Sequence, residues 1–162
     1  MAIAVLTAGV CIVKVDTGAA NALEELGRTV NGADSTKQAF WLDVPGDDNG
    51  GDAGPPIEIQ FMGEIVRIRL EMSKWDTAIR NKVTSRLYGG TAGTPGTAGT
   101  LMFADSKTYR LLLHSTTDPR NFLRTIPRGD IEQNRGTKWS RLVSEWEAHK
   151  NASGVLYNST TT

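Results

Sequence analysis

Between residues 57 and 72 apolar side chains recur at every second position, a period that only an extended chain with one buried and one wet face satisfies. Ile57, Ile59 and Phe61 alternate with Glu58 and Gln60, and Val66, Ile68, Leu70 and Met72 alternate with Arg67, Arg69 and Glu71. A tight turn at 62–64 is expected to fold the stretch into a β-hairpin with one apolar and one charged face. At Ser73 the period changes. Trp75, Ile79, Val83 and Leu87 recur every four residues, which describes one amphipathic helix of about three to four turns. Ser73 suits its N-cap, Asp76 falls in its first turn, and Gly89-Gly90 ends it.

The rest of the chain reads mainly as strand and loop. Residues 2–15 are rich in β-branched and small side chains and read as a strand, with Cys11 between Val10 and Ile12 as a buried thiol. Residues 21–26 suit a short helical turn stopped by Gly27. A long polar connection then runs to Pro56, docked to the body by Phe40, Trp41 and Leu42. Its end, 45–56, is Gly, Pro and Asp almost throughout, and reads as an exposed loop. Asp47, Asp48, Asn49 and Asp52 offer hard oxygen ligands, yet EF-hand spacing and its closing Glu are absent. A solvated turn is favoured over a calcium site. Residues 89–100 contain only Gly, Ala, Thr and Pro, without the terminus of a phosphate loop, and read as a connector or as a loop that orders against a neighbouring subunit.

Further strands are expected at 101–103, 108–115 (buried on both sides), 122–126 and 137–149, with a short return strand at 154–157 and a flexible polar tail at 158–162. In the long strand Leu142, Trp146 and Ala148 share a face with Ser140 and Ser144, opposite Arg141, Glu145 and Glu147. His114 and His149 each end a strand beside apolar residues.

Composition narrows the function. One cysteine excludes an internal disulfide framework, and two histidines exclude a His-rich metal site. No window is apolar enough for a membrane-spanning helix, and the apolar start precedes Lys14 with no basic segment before it, so it reads as mature protein. No nucleophile elbow or carboxylate pair stands out, so neither an enzyme nor a cofactor or metal is expected. The 18 basic and 18 acidic residues cancel but are unevenly spread. Residues 1–66 carry ten acids and three bases, net −7, and the remainder eight acids and fifteen bases, net +7. Because the bases alternate with acids, a dedicated nucleic-acid footprint is disfavoured, and self-association between unlike surfaces is preferred.

Taken in order, the chain reads strand, long polar loop, β-hairpin, one helix, flexible loop and several closing strands. That order resembles the tail tube proteins of long-tailed bacteriophages, a family similar to the tubes of contractile injection machines. The C-terminal third carries the resemblance furthest: residues 122–126, a polar connection, Gly136-Thr137-Lys138, the strand 139–148, then NASGVLY at 151–157. The hairpin 57–72 and its following helix match the family's middle section. The resemblance implies a single domain over 1–162, mainly β, a sandwich or small barrel with one flanking helix and long loops. It implies a virion structural protein assembled in the host cytoplasm, whose hexameric rings stack into a hollow conduit for phage DNA. Tape-measure and tail-terminator proteins, and a sheath in contractile tails, would be its partners, with transient non-specific passage of DNA and no membrane contact. Glu58, Gln60, Arg67, Arg69 and Glu71 would line the channel, with both arginines paired by Glu58, Glu64 or Glu71. The loops 31–56 and 89–100, through Asp47, Asp48, Asp52, Thr91, Thr94 and Thr97, would join successive rings. Another virion part, such as a neck, tail-terminator or capsid-decorating protein, is the alternative.

Overall fold

A computed structural model describes residues 10–16, 22–46, 53–88, 98, 101, 108–115, 118–128, 132–133 and 141–160, with the backbone alone at 84–88 and 132–133. Its elements are β1 (Ile12–Asp16), β2 (Leu23–Val44), β3 (Glu58–Trp75), α1 (Thr77–Tyr88), β4 (Tyr109–His114), β5 (Arg120–Pro127), β6 (Glu132–Gln133), β7 (Leu142–Ala148) and β8 (Tyr157–Asn158). The strands form one antiparallel sheet in the order β6-β7-β3-β2-β1-β4-β5-β8, and a further β5–β7 pairing closes it on itself. The fold is therefore mainly β, a small barrel of β7, β3, β2, β1, β4 and β5 with one flanking helix.

Alternation builds the core. Val66, Ile68, Leu70 and Met72 of β3 point into the barrel while Arg67 and Arg69 between them are exposed. Val13 and Val15, Leu111 and Leu113, Phe122, and Leu142, Trp146 and Ala148 complete the interior from the other walls. Tyr109 meets Trp146 edge-on at 6.0 Å, and the Trp146 indole N–H donates to Ser144 Oγ at 3.2 Å. Each large side chain so buried contributes about 1.5–3 kcal/mol relative to exposure. The helix covers the end of the barrel where β3 stops: Ile79 and Val83 are buried there, and the Tyr109 hydroxyl donates to the Val83 carbonyl.

Several expectations are met. The helix, the strands at 108–115 and 122–126, the inward face of Leu142, Ser144, Trp146 and Ala148, and the short return strand all occur. Three expectations are corrected. The stretch 62–64 is not a turn: β3 runs straight through it, and the shift of the apolar positions is a bulge, because Phe40 pairs with Gly63 and Trp41 with Phe61 while Met62 has no partner. Gly63 takes φ +126°, which only glycine adopts easily, so the strand twists there and continues. The true hairpin partner is β2. Residues 21–26 form no helical turn, and most of the polar connection to Pro56 is strand, since β2 pairs with β1 at its start and with β3 throughout. The helix is capped by Asp76 instead of Ser73, because sheet pairing holds the chain extended as far as Trp75. Asp76 Oδ1 accepts the N–H groups of Ala78 and Ile79 at 2.7 and 3.0 Å, and the Asp76 N–H donates to the Leu26 carbonyl at 2.8 Å. Leu101 lies outside any strand and is exposed, and residues 102–103 and 137–140 of the expected strands lie outside the described residues.

Gly27, read from the sequence as a helix stop, sits instead where β2 crosses the end of β3. A Cβ there would meet the Lys74 carbonyl oxygen at 2.4 Å and Met72 Sδ at 2.9 Å. Two stability outcomes follow for denaturant unfolding: Leu70→Ala lowers stability by about 2–5 kcal/mol, and Gly27→Ala is destabilising although it adds only one methyl group.

Candidate assembly surface

The β2–β3 hairpin is longer than the barrel. On one side β1 pairs with β2 only as far as Arg28, and on the other β7 pairs with β3 only from Val66 onward. Residues 58–65 and their partners 38–44 therefore leave the wall as a two-stranded ribbon, roughly 25 Å long at the usual rise of a strand. Phe40, Trp41, Leu42, Ile57, Ile59, Phe61 and Met62 are all exposed on it, Trp41 at 62% and Phe61 at 51%. The Trp41 and Phe61 rings touch edge-on at 5.2 Å across the strands, which stiffens the ribbon but leaves its apolar surface in water. Phe40, Trp41 and Leu42 do not dock this segment to the body as expected. Nothing in the barrel lies beyond the end of β7 to receive them. A concavity of about 360 Å³ lies at the base of the ribbon, lined in part by Phe40, Phe61, Met62, Ile65 and Leu156.

The expected channel residues divide between two settings. Glu58 and Gln60 are exposed on the ribbon, opposite Val44 and Leu42, and Glu58 Oε1 accepts its neighbour's Ile59 N–H at 3.1 Å. Arg67 and Arg69 stand with Glu71 on the outer face of the wall, flanked by β2 and β7. Arg69 lies between Asp34 and Glu145, and Arg67 between Thr36 and Glu147. These groups line a concavity of about 500 Å³ together with Arg128. The expected pairing within the hairpin is not made. Glu64 binds Lys37 at 2.7 Å, Glu71 binds Arg141, and among the described residues neither Arg67 nor Arg69 forms an ion pair. Side chains on one face of a sheet meet their lateral neighbours, so the acids nearest these arginines come from the adjoining strands. Asp47, Asp48 and Asp52, in the connection between β2 and β3, lie outside the described residues, as do Thr91, Thr94 and Thr97.

Beside this concavity the barrel seam is pinned by charge. Glu147, almost fully buried, accepts two bonds from Arg128 Nη1 at 2.9 and 3.1 Å and meets His149 Nε2 at 2.9 Å. The main chain reinforces the clasp where the Arg128 N–H reaches the Glu145 carbonyl and the His149 N–H reaches the Arg124 carbonyl. Burial holds the His149 imidazole below its ordinary pKa, outweighing the attraction of Glu147. Burial also pushes the Cys11 thiol up to about 11, so it stays protonated near neutrality and is a poor nucleophile. Among the described residues no group of three or more His, Cys, Asp or Glu converges as a metal would require.

Sequence reasoning missed the ribbon as an exposed feature. The signal was present: an apolar run, Phe40–Trp41–Leu42, faces the alternating Ile57–Ile59–Phe61 across a Gly/Pro/Asp connection. Compared with known proteins, the chain matches no family model and no curated protein.

His149 makes the pH dependence definite. The unfolded chain takes up this proton near pH 6.5, above the folded value, so the contribution of neutral His149 is complete above pH 6.5 and is lost as pH falls from there through the folded pKa. His149→Gln flattens that part of a stability-against-pH curve measured by thermal or urea unfolding.

Proposed function

We propose that this protein is a virion structural protein: a subunit of a hexameric ring that stacks into a tail tube and conducts phage DNA. The observation that carries the reading is the apolar ribbon standing clear of a closed barrel. A two-stranded ribbon is marginal in water by itself, and a contiguous exposed apolar surface of this kind marks an interaction site. The barrel's own core needs none of it. The opposite net charges of the two halves of the chain support association between unlike surfaces of successive copies. The charged outer face fits a conduit wall, because Arg67 and Arg69 stand in rows with Asp34, Glu145 and Glu147. Such a mixed-sign surface offers passing phosphates no continuous basic track. Tape-measure and tail-terminator proteins, and a sheath if the tail contracts, are the partners this role entails.

Negative-stain electron microscopy with mass photometry on the purified protein tests the reading. Stacked six-membered rings or hollow filaments are expected at high concentration. Trp41→Glu with Phe61→Glu abolishes assembly while leaving the circular dichroism and melting temperature of the barrel nearly unchanged, since both side chains lie outside the core. Single rings that never stack would instead favour a neck, terminator or decoration role, and a monomer at every concentration, with or without a tail-derived initiator, would overturn the proposal.

A further inference from the structure

We infer that successive copies join edge to edge through the ribbon, the free edge of β2 in one copy forming backbone hydrogen bonds with the free edge of β3 in the next. The inference rests on the assembly reading above and specifies its chemistry. Among the described residues, no strand pairs with the outer side of β2 over residues 33–44 or with the outer side of β3 over residues 58–65. A strand with a neighbour on one side only turns every second N–H and C=O outward, so each edge presents a row of unpaired donors and acceptors. These edges are poorly guarded. Neither stretch contains proline, and the one lysine, Lys37, is already engaged by Glu64. The bulge at Met62 and Gly63 is the one irregularity within them. Solitary proteins block such edges with prolines, clustered charges or short strands, and these are long and apolar towards the tip.

Only another β-strand satisfies a row of alternating donors and acceptors, and a second copy of this chain supplies one of matching length. The two edges lie on opposite sides of the ribbon and differ in sequence. Pairing β2 with the β2 of a partner would close a twofold dimer and leave both β3 edges bare. Pairing β2 with the partner's β3 uses both edges of every copy and repeats, so it generates a ring or a filament. It also sets Phe40, Trp41 and Leu42 of one ribbon beside Ile59 and Phe61 of the next, removing from water the surface that the barrel leaves exposed.

Residue-resolved amide hydrogen exchange on the full-length protein, as dilute monomer and as assembled particles, tests this. In the monomer alternate amides of 33–44 and 58–65 exchange freely, and in assembled particles both sets slow by about 100-fold or more, as amides do on entering a stable ladder. Four results overturn the inference. Particles whose edge amides remain fast mean that copies pack by side-chain faces alone, with the assembly reading intact. Protection on the β2 edge only means a twofold pairing. Protection of that edge already in the monomer means another part of the same chain occupies it. Absence of particles removes this inference together with the assembly reading.

Discussion

Pairing between β2 and β3 holds the whole molecule together. It runs from Gly27 opposite Trp75, at the helix-covered end of the barrel, to Val44 opposite Glu58 at the ribbon tip, and every other element is placed by reference to it. Near its root the pair is a barrel wall. There β1 joins one side and β7 the other, and Val66, Ile68, Leu70 and Met72 face the interior. Beyond the reach of those neighbours the same two strands have no wall to belong to, and their apolar side chains face water.

Closure of the sheet explains why assembly falls to this segment. A barrel abolishes its own edges, and β5 meeting β7 does so here with help from the Arg128–Glu147–His149 clasp. The free edges left on the central pair are displaced onto the ribbon, together with its aromatic and aliphatic residues. Burial of a polar cluster at the seam and exposure of an apolar one on the arm are thus two consequences of one length mismatch, β2 and β3 being longer than the strands that flank them.

The rows of charge on the outer wall follow from the same geometry. Residues two apart on β3 share a face, so Arg67, Arg69 and Glu71 emerge together, and their lateral neighbours Asp34, Glu145 and Glu147 come from parts of the chain distant in sequence. Acids closer along the chain are drawn elsewhere, Glu64 to Lys37 and Glu71 to Arg141. Lateral proximity across a sheet outranks proximity along the chain in deciding which charges meet.

Period-two and period-four patterns are local, and wherever one side of an element is buried they were legible: the inward face of β3, the helix over 77–88, the doubly buried Leu111, Leu112 and Leu113, and the inward face of β7. The mainly β class with one helix follows from them. β2 was illegible for the same reason reversed. Over most of its length it is exposed on both faces, so its polar residues alternate with nothing and imitate a loop. The parity shift at Met62 is equally ambiguous along the chain, because a turn and a one-residue bulge both produce it, and only the presence of β2 alongside selects the bulge. Sequence by itself therefore determined which residues seek burial and with what period. Tertiary structure decided which strands lie side by side, which charges face one another and which apolar residues find no partner, because all three depend on contacts between segments far apart in the chain.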